Sequence, residues 1–264
     1  MPRLIGTNRD DFLIGRSGLD WVIRGRAGDD EIYDGGGGDG TGSGTGNDRL
    51  YGDLGDDKLY AISGGFDQAL GGKGNDEILV LQGVGRGGVG DDSVTAYGLA
   101  VGGPGDDLVG GTGQLWGDEG PGVEQRVAGN DHLHVNMELA GLTQATGGLG
   151  ADLFTMTSGQ DGIAARVEIM DFRSGEDHFD ASVWRGFYEG ENQDQVLFDR
   201  LDANNDNVLD LTDVFSGGAV YFNGSDLILA PDFTIATPTF TDAQDRIVFH
   251  GVSQLTLADW LFSA

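Results

Sequence analysis

The feature that most restricts what this chain can fold into is a recurring interval of nine residues between aspartates. Asp11 and Asp20, Asp48 and Asp57, and Asp67 and Asp76 each stand nine residues apart. Gly15-Arg16-Ser17-Gly18-Leu19-Asp20-Trp21-Val22 and Gly25-Arg26-Ala27-Gly28-Asp29-Asp30-Glu31-Ile32 show the frame, and related units occupy 52–59, 71–78, 87–94, 102–109 and 147–154. Each reads glycine, two variable residues, glycine, one variable residue, aspartate, one variable residue, apolar. That is a turn followed by a very short strand. The glycines permit positive φ, the aspartate puts a carboxylate at the end of the turn, and the apolar residue two positions on points into a core. One unit cannot bury its single apolar side chain, so neighbouring units must stack.

Composition agrees with a stacked chain that depends on ions. The 264 residues include 49 glycines, where an ordinary protein has roughly 7%. The formal charge is −29, from 44 acidic and 15 basic side chains. Repulsion on that scale opposes compaction unless counter-cations enter the structure, and it argues against nucleic acid or an anionic membrane as partner. Only 5 prolines and the lack of a Gly-X-Y triplet exclude collagen. With no cysteine, disulfides and thiolate chemistry are both excluded. The segment Met1 to Ile14 carries Arg3, Arg9, Asp10 and Asp11, so it is not a classical signal peptide. No apolar run reaches the length of a membrane span.

The glycine-aspartate units resemble the RTX, or hemolysin-type calcium-binding, repeats of secreted bacterial proteins. The resemblance implies an all-β, right-handed parallel β-roll in which two nonapeptides make one coil and calcium ions lie between stacked turns. It implies as calcium ligands Asp20, Asp30, Asp57, Asp76, Asp92, Asp107 and Asp152, helped by glycine carbonyls. Less regular units add Asp11, Asp48 and Asp131; in the unit ending at Asp67, Ile62 replaces the first glycine, and Arg9 replaces the second glycine before Asp11.

The regularity then breaks. Asp34 to Gly46 is nearly pure Gly, Asp, Thr and Ser, which reads as a loop or a distorted turn. Spacings of sixteen from Asp76 to Asp92, twenty-four from Asp107 to Asp131 and twenty-one from Asp131 to Asp152 predict wider coils after about residue 77. Gln114 to Ala128 reads as a projecting loop. The roll is expected over residues 1–155, and a small mixed cap over 156–264. Val167 to Phe172, Arg173 to Asp177 and His178-Phe179-Asp180 resemble the capping segment that follows the roll in serralysin-type secreted proteins. Tyr221 to Leu227, with Asn223-Gly224 inside it, reads as a hairpin.

The cap carries a second calcium pattern. Asp202-Ala203-Asn204-Asn205-Asp206-Asn207-Val208-Leu209-Asp210-Leu211-Thr212-Asp213 places oxygen side chains at loop positions one, three, five, nine and twelve of an EF-hand, with the Val208 carbonyl at seven. The ligand set is Asp202, Asn204, Asp206, Val208, Asp210 and Asp213. Val196, Leu197 and Leu201 suggest a short incoming helix, and Val214 with Phe215 an outgoing one. Asn207 stands where glycine usually makes the sharp turn, and asparagine tolerates that left-handed conformation. Asp213 replaces the usual glutamate.

Catalytic signatures are missing. There is no His-Glu-x-x-His and no Gly-x-Ser-x-Gly. His132 and His134 alternate on a strand-like segment and would share one face, where such a pair is more often solvent-facing than metal-binding. Trp21, Trp116, Trp184 and Tyr188 suit packing as well as sugar stacking. The chain therefore reads as a non-catalytic calcium-binding module for structure or adhesion, secreted into the extracellular space. Leu257 to Ala264 resembles the uncleaved C-terminal signal read by type I secretion machinery, and extracellular polysaccharide or a cell surface is the candidate partner. The alternative is a calcium-dependent polysaccharide-modifying enzyme with its site in 114–137.

Overall fold

The computed structural model describes residues 1–16, 18–35, 46–122, 127–136, 141–156, 165–180, 198–199, 201–213, 220–229 and 246–261. Among these residues the chain winds as a parallel solenoid, and each coil gives one strand to each of two faces. The first face stacks Arg3–Ile5, Val22–Ala27, Arg49–Leu54 and Asp67–Lys73 in parallel register. The second face stacks Phe12–Ile14, Glu31–Tyr33 and Lys58–Ala61 in the same way.

The second face shows why the nonapeptide frame folds. Leu13, Ile32, Leu59, Ile78, Val94, Val109, Leu133, Phe154 and Phe179 lie in one continuous register. Each is the apolar residue two positions after a turn aspartate, and all are buried. Strand alternation sends the residues between them outward. The core is thus built of stacked files of apolar side chains, joined from the third coil on by a second file through Ala61, Val80 and Ala96, and every coil needs both neighbours to bury them.

Coil length follows the turns. The first aspartate rungs are 19, 27 and 19 residues apart, so a regular coil is one residue longer than two nonapeptides. The coil of 27 contains residues 36–45, which lie outside the described residues together with most of the Asp34 to Gly46 stretch. The expected widening after residue 77 does not begin there. The next two rungs tighten to 16 and 15 residues, and only beyond Asp107 do they lengthen to 24, 21 and 25. The cause is the loss of one turn. Glu77–Val89, Ser93–Val101 and Leu108–Trp116 each run from the second face into the first, bending at Gly83, Gly98 and Gly113, whose φ values are +141°, +150° and +96°. A glycine corner replaces a whole aspartate turn.

The parallel ladder also continues past residue 155. Ala165–Ile169 and His178–Asp180 extend the two faces, and Arg246–Phe249 with Trp260–Leu261 add a last pair. The hairpin is present as Val220–Asn223 and Asp226–Leu229. Its two-residue loop is Gly224-Ser225 rather than Asn223-Gly224, with glycine at the first central position and φ of +70°. The core here turns aromatic. Phe179 meets both Phe249 and Trp260 edge-on, and Trp260 in turn meets Phe198. This end of the solenoid is closed by a conventional core.

Candidate metal centre

On one side of the solenoid, every turn between the first and second faces ends in an aspartate, and these residues are wired to one another. The backbone N–H of Asp11 donates to Asp30 Oδ1, that of Asp30 to Asp57, and the series continues through Asp76, Asp92, Asp107, Asp131 and Asp152 to Asp177. The bonds are 2.7–3.0 Å long. A second ladder runs in the opposite sense just outside it. There the N–H groups of Asp29, Asp56, Asn75, Asp91, Asp106 and Asn130 each donate to the side chain one coil before.

The seven inner aspartates from Asp30 to Asp152 use only one oxygen in this way, whereas Asp11 Oδ2 also accepts from Thr7 and Asp177 Oδ2 from the Arg173 N–H. The Oδ2 atoms of Asp30, Asp57, Asp67, Asp76, Asp92, Asp107, Asp131 and Asp152 are buried and receive no hydrogen bond. They fold back over the glycine five residues earlier in a regular unit: a β-carbon at Gly25, Gly52, Gly71, Gly87 or Gly102 would collide with the aspartate of its own unit. At Gly52 and Gly71 it would also lie 2.7 Å from the carbonyl oxygen of the matching glycine in the next coil. The bare glycine leaves a cradle of carboxylate and carbonyl oxygens. For the Asp131 rung the cradle glycine is Gly117, fourteen residues earlier in sequence instead of five.

Burial governs the titration of these groups. It pushes the carboxyls of Asp107 and Asp131 up to about 8, those of Asp57, Asp67, Asp76 and Asp152 to about 7, and those of Asp48 and Asp92 to about 6. The N–H donated by a neighbouring coil opposes the effect, and nearby carboxylates add to it. Asp30 and Asp177 are also raised, chiefly by burial.

The opposite side of the solenoid is shorter. Trp21 N–H donates to Asp48, and Asp48 N–H to Asp67. Asp20 stands one position off this row. Its carboxylate is exposed and accepts from Asn47 N–H, so it belongs to an outer ladder while Trp21 holds the inner rung. The buried residue of that coil is Ile23, three positions after Asp20, which explains the slip. Asp177 is an inner rung that lacks a full repeat: Phe172 stands at its first glycine position, although Gly175 keeps the second. Asp34, which accepts from Ser63, and Asp118, with an orphan Oδ1, are further buried acids outside the frame.

The 202–213 loop adopts the local geometry that its spacing predicts. Asp202 accepts from the N–H groups of Asp206 and Asn207, Asp206 from Val208, and Asp213 from Ala203 and Asp210. Asn207 is left-handed, at φ +65°. Among the described residues the expected helix-loop-helix is not seen. Among those residues, helix is confined to a fragment around Phe198 and Leu201. The chain leaves through a 3-10 turn at Leu211–Asp213, and Val208–Leu209 pairs antiparallel with Leu255–Thr256. Val196, Leu197, Val214 and Phe215 lie outside the described residues, as do Trp184, Tyr188 and 262–264 of the tail. His132 and His134 both contact Thr155 Oγ1, at 2.7 and 2.9 Å.

Among the described residues, no three acidic or histidine side chains converge on one point. Any cation in the ladder must therefore take backbone carbonyls as part of its shell, and the glycine cradles offer them. Oxygen-only donors of this kind suit a hard cation such as calcium.

A parallel two-face solenoid with a row of half-satisfied aspartates along its glycine turns defines a class of repeat scaffold. The family model described as Peptidase M10 serralysin C terminal matches residues 51–217. The chain belongs to that family, which is associated with calcium-binding RTX repeats. No curated protein matches the chain significantly. No helix among the described residues is long and apolar enough to cross a membrane.

Proposed function

We propose that the chain is a secreted calcium-binding module whose roll folds when calcium fills the aspartate ladder. The observation that carries this reading is the row of buried Oδ2 atoms without donors, those of Asp30, Asp57, Asp76, Asp107 and Asp131 lying over glycine cradles that also hold a glycine carbonyl oxygen of the next coil. An isolated buried carboxylate is costly unless a counter-charge or a proton meets it. Calcium supplies that charge and accepts the carbonyls as well. The ligands are Asp30, Asp57, Asp76, Asp92, Asp107, Asp131 and Asp152, with Asp11 at the entrance and Asp48 on the opposite side. The 202–213 loop is a further calcium site, through Asp202, Asn204, Asp206, Val208, Asp210 and Asp213.

Folding by metal fits export. At low cytosolic calcium the aspartates repel and the chain stays extended; at extracellular calcium the coils close. Leu257 to Ala264 would serve as the uncleaved signal for type I machinery. The folded object is a scaffold or adhesion module. Calcium titration from chelator to millimolar concentration, followed by circular dichroism, tests this. A large gain of β signal is expected, and an unchanged spectrum sinks the reading.

A further inference from the structure

On the outer surface of the first face, the three N-terminal coils carry a groove of about 860 Å³ lined by Arg3, Arg24, Arg26 and Arg49. These are four of the 15 basic residues in a chain of charge −29. Of these four, only Arg24 reaches a carboxylate among the described residues, Asp53 at 3.4 Å; Arg3, Arg26 and Arg49 form no ion pair there. The Arg24 guanidinium lies 4.8 Å over the ring of Tyr51, which fixes its plane. Three arginines without an ion pair among the described residues, gathered on one face of so acidic a protein, present their charge to whatever enters the groove.

The backbone gives an independent sign. Arg26 and Asp53 are in register with each other and then with Gly72 and Gly88. All four adopt positive φ, +96° and +81° for the two side-chain-bearing residues and +130° and +125° for the glycines. Glycine is the natural resident of this position. Arginine here is strained, and it extends its side chain into the groove. Strain retained where the fold has a cheaper residue elsewhere points to a ligand.

We propose that this groove binds an extended carboxylated polysaccharide. Guanidinium forks pair with carboxylates through two parallel hydrogen bonds. Arg3 and Arg49 both flank Val22, one coil to either side. Successive coils repeat at about 4.8 Å, close to the length of one sugar residue in an extended chain, so guanidiniums on neighbouring coils can follow carboxylates on neighbouring sugars. A nucleic acid would need an open aromatic surface for its bases, and Arg24 covers Tyr51. A flat lipid surface would not enter a recess. The site lies apart from the calcium ladder and from the 114–137 region.

The test is calorimetric titration of a short oligogalacturonate into the full chain in calcium-containing buffer, beside R24A/R49A and R26G. Saturable, salt-sensitive binding is expected, weaker by about tenfold or more for each guanidinium removed and absent for the fully methyl-esterified oligomer. R26G should melt no lower than the parent, because glycine relieves the strained φ, so its loss of affinity would not reflect misfolding. Equal affinity in the parent and R24A/R49A would overturn the proposal. So would binding of the methyl ester, no saturable binding, or tighter binding of a single-stranded oligonucleotide or of anionic phospholipid vesicles.

Discussion

Removing calcium and then raising the pH should unfold the roll, whereas acid should protect it. In the folded chain the inner carboxyls titrate between about 6 and about 8, and in the unfolded chain near ~3.9. Through that window the metal-free folded state holds more protons than the unfolded state, so its stability is full below pH ~4 and falls as pH rises through 6 to 8. At ~1.4 kcal/mol per pH unit, ionising one rung costs on the order of 3–6 kcal/mol. Ionising two or three rungs matches the whole ~5–15 kcal/mol of a typical domain. Urea unfolding in chelator, followed by tryptophan fluorescence at pH 5, 6, 7 and 8, reads this directly and stays above the isoelectric point of about 4.1. The midpoint should fall steadily with pH. In calcium the slope should vanish or reverse, because metal binding releases the ladder protons. A chelated protein with the same midpoint at pH 5 and pH 8 would refute the argument that buried carboxylates, rather than chain entropy, make the roll ion-dependent.

Two substitutions probe the geometry. Gly52→Ala puts a methyl group against Asp57 Oδ2 and the Gly71 carbonyl; it should cost about 1–3 kcal/mol and lower the number of calcium ions bound, counted by calorimetry, while Gly122→Ala, with no atom nearby, leaves that count unchanged. Asp259 accepts from Ser174, Gly175 and Thr256 and so ties the tail to the last turn; Asp259→Ala should cost at least the ~1 kcal/mol of a lost cap and lower the calcium-bound thermal midpoint.

The repeat frame made most of the roll legible, because one physical requirement, an apolar residue two positions after each turn aspartate, fixes both the buried file and the rungs. It failed where another group met the same requirement. Asp20 is followed by Trp21 and Val22, both half-buried, and then by the fully buried Ile23; counting between aspartates hid a slip that counting to the buried residue would have exposed. Asp177 is masked in sequence because Phe172 replaces its first glycine, yet Gly175, Asp177 and Phe179 keep the second half of the frame. The short coils after Asp76 look wide in sequence, because sixteen residues exceed one nonapeptide yet fall short of a full coil of 19. A glycine corner leaves no aspartate to mark the missing turn. In the 202–213 loop, side-chain spacing specified the turn, but not that Val208–Leu209 would pair with the distant Leu255–Thr256.

The two ends of the solenoid are held by different forces. At the C-terminal end Phe154, Phe172, Phe179, Phe249 and Trp260 interlock, and large aromatic side chains bury enough surface to order that end without ions. At the N-terminal end each coil buries one aliphatic residue per face, such as Leu13 or Ile23, while Phe12 and Ile14 remain exposed. Among the described residues, Asp48 and Asp67 add a second carboxylate row in these early coils. The N-terminal coils therefore combine the thinnest core with the greatest density of turn carboxylates. In a solenoid whose coils touch only their neighbours, order spreads from the most stable unit. The aromatic end is then the site from which folding proceeds, and each coil added toward Arg3 relies more on the cation between its turns than on the apolar side chain behind them.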